Sequence, residues 1–167
     1  MNISKRLMKF LPHINAEAHC DIPCGIYDPT PAKIAAKTVA RMVDQLNELA
    51  SKTPIKLMME DANARLQLQN SIVRRTAVKE KHAQKCKEEL LILWADFFKP
   101  EHTAKFPSLH ETFWKAAKLA SKNKQEVNAE AAAQLVAAVD EIAKMFYEAK
   151  GAPERYDAYK TITDKLY

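Results

Sequence analysis

Glycine is almost missing from this chain: there are two in 167 residues, against a usual share of about 7%. So little turn-forming residue argues against a β-rich fold and for long helices with short links. Cysteine is scarce as well. Three cysteines cannot complete a disulfide framework, and the chain is longer than the small stapled scaffolds. The default is a reducing compartment, where Cys20 and Cys24 stay free thiols open to a metal. No run of 18 apolar residues occurs, so no segment is expected to span a membrane. A block of one charge sign is also lacking. The net charge is +5 and the pI near 9.0, but bases alternate with acids, as in Lys79-Glu80-Lys81 and Lys85-Cys86-Lys87-Glu88-Glu89. That pattern reads as solvated helix faces, not a nucleic-acid surface. The mild positive excess still favours encounter with a small anion.

What is present is amphipathic helix. A hydrophobic content of 47% with 28% charge fits a single globular domain with a real core. Thr30-Pro31 reads as a helix start, with Thr30 as N-cap and proline at the first helical position. This helix is expected to run to about Lys52, with Val39, Met42, Val43, Leu46, Leu49 and Ala50 on one face. Residues 55–71 are helical in character but weakly patterned. From Ile72 the pattern sharpens through Thr76, Ala83, Cys86, Leu90, Leu93, Trp94 and Phe97, until Lys99-Pro100 closes the helix. Cys86, inside that apolar row, reads as a small buried hydrophobe.

Ser108-Leu109-His110-Glu111 has the form of a capping box. It opens a third helix carrying Leu109, Phe113, Ala117 and Ala120, with residues 121–126 as a polar connection. A fourth helix begins near Asn128, carries Leu135, Val139, Ile142 and Phe146, and stops at Lys150-Gly151 with Pro153 beyond. A short tail helix follows at 154–166. Four such helices with short links predict an all-α, antiparallel up-and-down four-helix bundle. A bundle carries no function of its own.

The chemistry concentrates at the front. Residues 1–18 hold Lys5, Arg6 and Lys9 but only a short apolar stretch broken by Pro12-His13. A secretory signal needs an apolar centre of about 7–15 residues, so export is not expected. On composition alone the segment reads as a frayed basic tail or short surface helix, while Ala16-Glu17-Ala18 looks like a small-residue cleavage site and allows a leader cut for another purpose. The domain proper is then 19–167. His82, His102 and His110 are far apart in sequence and read as surface or supporting residues. Two cysteines four apart do not by themselves complete a tetrahedral zinc site. If the chain begins at His19, however, a dense donor set appears. The α-amine, the Cys20 amide nitrogen and the Cys20 and Cys24 thiolates make an N2S2 set, with the His19 imidazole free to approach. Planar, nitrogen-rich sets suit Cu(II) or Ni(II), and thiolates soften them.

The run His19-Cys20-Asp21-Ile22-Pro23-Cys24-Gly25-Ile26-Tyr27 resembles the nickel hook of the nickel-containing superoxide dismutases, His-Cys-Asp-x-Pro-Cys-Gly-x-Tyr, at all seven specified residues. The resemblance continues through Leu93–Pro100 and Phe106–His110. It implies a precursor cut before His19, a helical bundle assembled as a homohexamer, a cytoplasmic location and a maturation protease as partner. It implies one nickel ion per subunit, held by the His19 amine and imidazole, the Cys20 amide and thiolate, and the Cys24 thiolate, with Ile22-Pro23 cis. It also implies superoxide as substrate, disproportionated to O2 and hydrogen peroxide as nickel cycles between +2 and +3. Tyr27 and Asp21 are the candidates to order substrate and pass protons, and Lys99 could add positive potential.

The pattern is departed from in three places. Where family members carry a glutamate and an arginine around the axial imidazole, this chain has Ala35 and His82; where they carry a second tyrosine, it has Phe97. Two rival readings use the same residues. One is a non-enzymatic nickel-binding or storage protein. The other is a thiol switch through Cys20 and Cys24, whose spacing is not that of thioredoxin-like motifs.

Overall fold

A computed structural model of the chain describes residues 25–53 and 61–167. Among them are six α-helices: α1 (Thr30–Lys52), α2 (Ala62–Ile92), α3 (Pro100–Lys105), α4 (Leu109–Gln125), α5 (Ala129–Ala149) and α6 (Glu154–Asp164). One π-helical turn, Leu93–Phe97, continues α2. No strand occurs among the described residues. Helix α1 packs on α2, α2 on α4, α4 on α5, and α5 returns to α1. This ring is the expected four-helix bundle, with α6 lying against α1 and α5.

The helix ends show local chemistry at work. The Asp61 carboxylate accepts the N–H groups of Asn63 and Ala64 at 2.9 and 3.0 Å, which starts α2. Asn128 does the same for Ala131 and starts α5. Helix α5 ends in a Schellman turn. Ala152 N–H donates to the Tyr147 carbonyl at 2.9 Å, Gly151 N–H to Glu148, and Gly151 takes a φ of 72°.

Three expectations need correction. First, the cap of α1 is Pro29, not Thr30. The Thr30 N–H is satisfied from outside the helix by the Asp28 carboxylate, at 2.8 Å. Second, Ser108 makes no side-chain cap to α4. Third, α4 continues to Gln125, where a polar connection was expected. Its polar last turn is held by burial: the Asn123 amide donates to the Leu119 and Ala131 carbonyls at 2.9 Å each. The fully buried Lys79 of α2 donates to the carbonyls of Asn123, Lys124 and Glu126. A lysine from a neighbouring helix therefore caps the C-terminus of α4, where orphan carbonyls and the helix dipole favour a cation.

That cap also marks where the bundle ends. Beyond Lys79 toward its start, α2 has no α4 opposite it. Ile72, expected in the core row, is exposed, and Thr76 is only half-buried. The buried row of α2 begins at Lys79 and runs through Ala83, Cys86 and Leu90. Cys86 is fully buried, as expected, and burial pushes its thiol up to about 12.

The main core contains Ala32, Ala35, Leu90, Leu109, Phe113, Leu135, Ile142 and Phe146. A second, smaller cluster holds Val39, Val43, Ala83 and Ala132. One buried charge crosses the first. Lys33, with 0% of its surface exposed, donates to Asp140 of α5 and lies 3.8 Å from Asp164 of α6. Burial lowers its pKa, and the Asp140 hydrogen bond opposes that shift.

Candidate metal centre at the aromatic end of the bundle

The residues expected to hold the metal, His19, Cys20 and Cys24, lie outside the described residues, as do Asp21 and the Ile22-Pro23 bond. The description begins one residue later. Gly25 has a φ of 70°, and no atom would lie within 4 Å of a Cβ placed there. The constraint at Gly25 is therefore the backbone alone: a left-handed residue turns the chain from the hook segment into the bundle.

From Gly25 the chain meets an aromatic floor. Tyr27 is half-buried, its ring centroid 5.8 Å from that of Phe97. Phe97 stands 4.3 Å from Phe146, 5.0 Å from Phe98 and 5.8 Å from a stacked His102. The π-helical turn builds this floor, because an extra residue in the turn re-aims Trp94 and Phe97 relative to the α2 rows. Such turns recur at functional sites. Phe97, at the position where a second tyrosine was expected, offers Tyr27 a ring face and no hydroxyl. Lys99 is exposed at the start of α3, its N–H donating to His102 Nδ1 at 3.0 Å.

The residue after Tyr27 is also tied down. Asp28 Oδ2 accepts the hydroxyl of Tyr147 at 3.1 Å, while Oδ1 holds Thr30 N–H. Tyr147 is 3% exposed. Burial, then the charge of Asp28 and the hydrogen bond to it, push its pKa up to about 12. It remains a neutral donor at any physiological pH. Sequence reasoning missed this contact. Tyr147 is simply the neighbour of core Phe146, and no local signal reports a partner 119 positions away.

The two residues expected around the His19 imidazole lie on α1 and α2. Ala35 is buried in the main core with Cys86 and Leu90. His82 is half-buried, with Nδ1 2.9 Å from the Val78 carbonyl, so that nitrogen donates and Nε2 remains. His110 is exposed and accepts the Trp94 indole N–H at 2.8 Å.

Among the described residues no three His, Cys, Asp or Glu side chains converge as a metal site. Cys86, protonated in the core, is no ligand. The His-Cys-x3-Cys run that precedes Gly25 in the sequence has the nitrogen and sulfur chemistry that nickel takes. Fold and donor chemistry together define the class as a helical-bundle metalloprotein.

The comparisons with known proteins narrow that class. The family model of nickel-containing superoxide dismutase matches residues 14–150. The superoxide dismutase [Ni] of Streptomyces seoulensis is 33% identical over 143 residues, covering 86% of this chain and 96% of its own. That of Streptomyces coelicolor is 32% identical over 146 residues. A crystal structure of a Ni-containing superoxide dismutase in a partially reduced ligation state superposes with a TM-score of 0.63 at 31% identity. It covers 80% of this chain and all of its own. The chain belongs to the nickel-containing superoxide dismutase family. It is an oxidoreductase acting on superoxide, with nickel as its cofactor.

Proposed function

We propose that the chain is a precursor activated by cleavage between Ala18 and His19, and that residues 19–167 form the working subunit. The cut frees the α-amine of His19. That amine, the His19 imidazole, the Cys20 amide and thiolate, and the Cys24 thiolate then hold nickel. Bound nickel supplies the one-electron couple between +2 and +3 by which one superoxide gives up its electron and a second receives it with two protons. The residues of the chain do the rest. Tyr27 and Asp21 order the anion and pass protons. Phe97, Phe146 and His102 wall the site against bulk water on the bundle side. The positive excess of the chain favours arrival of the anionic substrate.

The observation that carries this reading is the unbroken run from His19 to Tyr27, whose last described residues enter the aromatic floor at Phe97. A reducing compartment, in which Cys20 and Cys24 stay thiols, supports the reading of a cytoplasmic protein. The protein works as a homohexamer, in keeping with its family.

The test is a pair of proteins loaded with nickel. Protein beginning at His19 turns over superoxide; the full 167-residue chain, whose His19 nitrogen is held in a peptide bond, does not. Equal activity of the two refutes activation by cleavage. Intact mass and metal content of protein from its own cell check the cut and the ion together.

A further inference from the structure

The family match ends at residue 150, yet the chain goes on and folds. Helix α6 is anchored in several ways. Lys33 of α1 joins Asp140 of α5 and approaches Asp164 of α6. Lys160 of α6 pairs with Asp164 and lies 3.5 Å from Asp140. Tyr159 is 4% exposed, and its hydroxyl reaches Asp140 at 3.4 Å. An exposed ion pair is worth little alone, but a buried lysine meeting carboxylates from two other helices joins all three.

The face that α6 turns inward meets Tyr147. The Tyr159 ring lies 5.8 Å from the Tyr147 ring, and the Arg155 guanidinium sits 5.6 Å over it. On its other side Tyr147 meets Phe146, edge-on at 5.2 Å. The Schellman turn that launches α6 closes on the Tyr147 carbonyl. Tyr147 is therefore enclosed by core on one side and by α6 on the other. Its hydroxyl points out to Asp28, four residues after Cys24.

We infer that Tyr147 is a positioning residue for the metal-binding segment, latching its base through Asp28, and that α6 is the brace that holds Tyr147 in place. This rests on the reading that residues 19–24 hold the metal. A hydroxyl donating to a carboxylate is among the stronger hydrogen bonds. With Asp28 held between Tyr147 and Thr30, the direction in which the chain leaves α1 is set before any metal binds. A segment so directed loses less freedom on binding, and preorganisation shows as affinity.

The experiment uses protein beginning at His19 and compares wild type with Tyr147→Phe, Tyr159→Ala, Tyr159→Phe and Tyr156→Phe. The first readout, on metal-free protein, is amide hydrogen exchange over residues 25–30. Tyr147→Phe is expected to speed it about tenfold, with exchange in α4 unchanged; Tyr159→Ala should do the same. Tyr159→Phe, which keeps the bracing ring, and Tyr156→Phe, which does not touch Asp28, should match wild type. The second readout is nickel release into a chelator, expected to be about tenfold faster in Tyr147→Phe, the low end for partners around a metal site. Unchanged exchange over 25–30 in Tyr147→Phe overturns the latch. Accelerated exchange with wild-type nickel release overturns its role in positioning the metal segment. Wild-type protein that takes up no nickel refutes the proposed function instead, and the exchange result still decides the latch.

Discussion

The two ends of the bundle are built differently. At the end where residues 25–30 lead into α1, Phe97, Phe98, Phe106, Phe113, Phe146 and Tyr147 pack together, with Tyr27 and Trp94 against them. At the other end the buried set is Val39, Val43, Ala83 and Ala132, with no aromatic among them. There α2 projects past the end of α4, and Lys79 closes the carbonyls that α4 leaves open. Large aromatic side chains bury much area with few rotatable bonds, so the entry end is the stiffer one. A metal-binding segment at His19–Cys24, as proposed, needs that stiffness. The far end has only to keep two helix ends covered.

Substitutions that sharpen this contrast rank clearly. Phe146→Ala opens a cavity under Phe97 and Tyr147, and should cost about 4 kcal/mol. Asp140→Asn is expected to cost about 3 kcal/mol, because it leaves Lys33 buried without its main carboxylate. Adding Lys33→Met should restore most of that, since an apolar replacement of a buried pair is often neutral or better. Val43→Ala at the far end removes two methyl groups and should cost about 2 kcal/mol. Urea unfolding of the variants measures these differences, and equal losses for Phe146→Ala and Val43→Ala would erase the distinction between the ends.

The smallest effect is in pH. Burial raises the pKa of Tyr147 to about 12, and raises that of Tyr159 too. In the unfolded chain both titrate near 10. The folded state thus favours the neutral phenols. Their contribution is complete below about pH 10 and is lost as pH climbs from about 10 toward 12. Melting temperature followed by circular dichroism should fall over that window, and less steeply in Tyr147→Phe.

Much of this was legible in the chain itself. Helix α1 ends at Lys52 as expected and starts at Thr30, one residue before the expected first position at Pro31, and α5 runs between Asn128 and Gly151 as capping chemistry requires. The donor run at His19 to Cys24 is chemistry at fixed spacing along the chain, and no fold is needed to see it. What could not be read was every contact depending on a partner distant in sequence. Ser108 has the residues of a capping box and does not use them. Residues 121–125 look like a loop and are helical, because Lys79, far earlier in the chain, caps them. Lys79 reads as a solvated charge, and both it and Lys33 are fully buried.

By itself, then, the sequence determined the helices, their apolar faces and the run of nitrogen and sulfur donors from His19 to Cys24 proposed to hold the metal, since each depends on residue type and short-range spacing. Only the tertiary structure decided that Tyr147 meets Asp28, that Phe97 forms a wall for Tyr27, and that the tail helix backs Tyr147. The first two contacts join residues scores of positions apart, and the third needs the chain to turn back on itself after Gly151. They exist only once packing has brought α1, α2, α5 and α6 together, and hydrophobic burial, the force that does this, has no direction of its own.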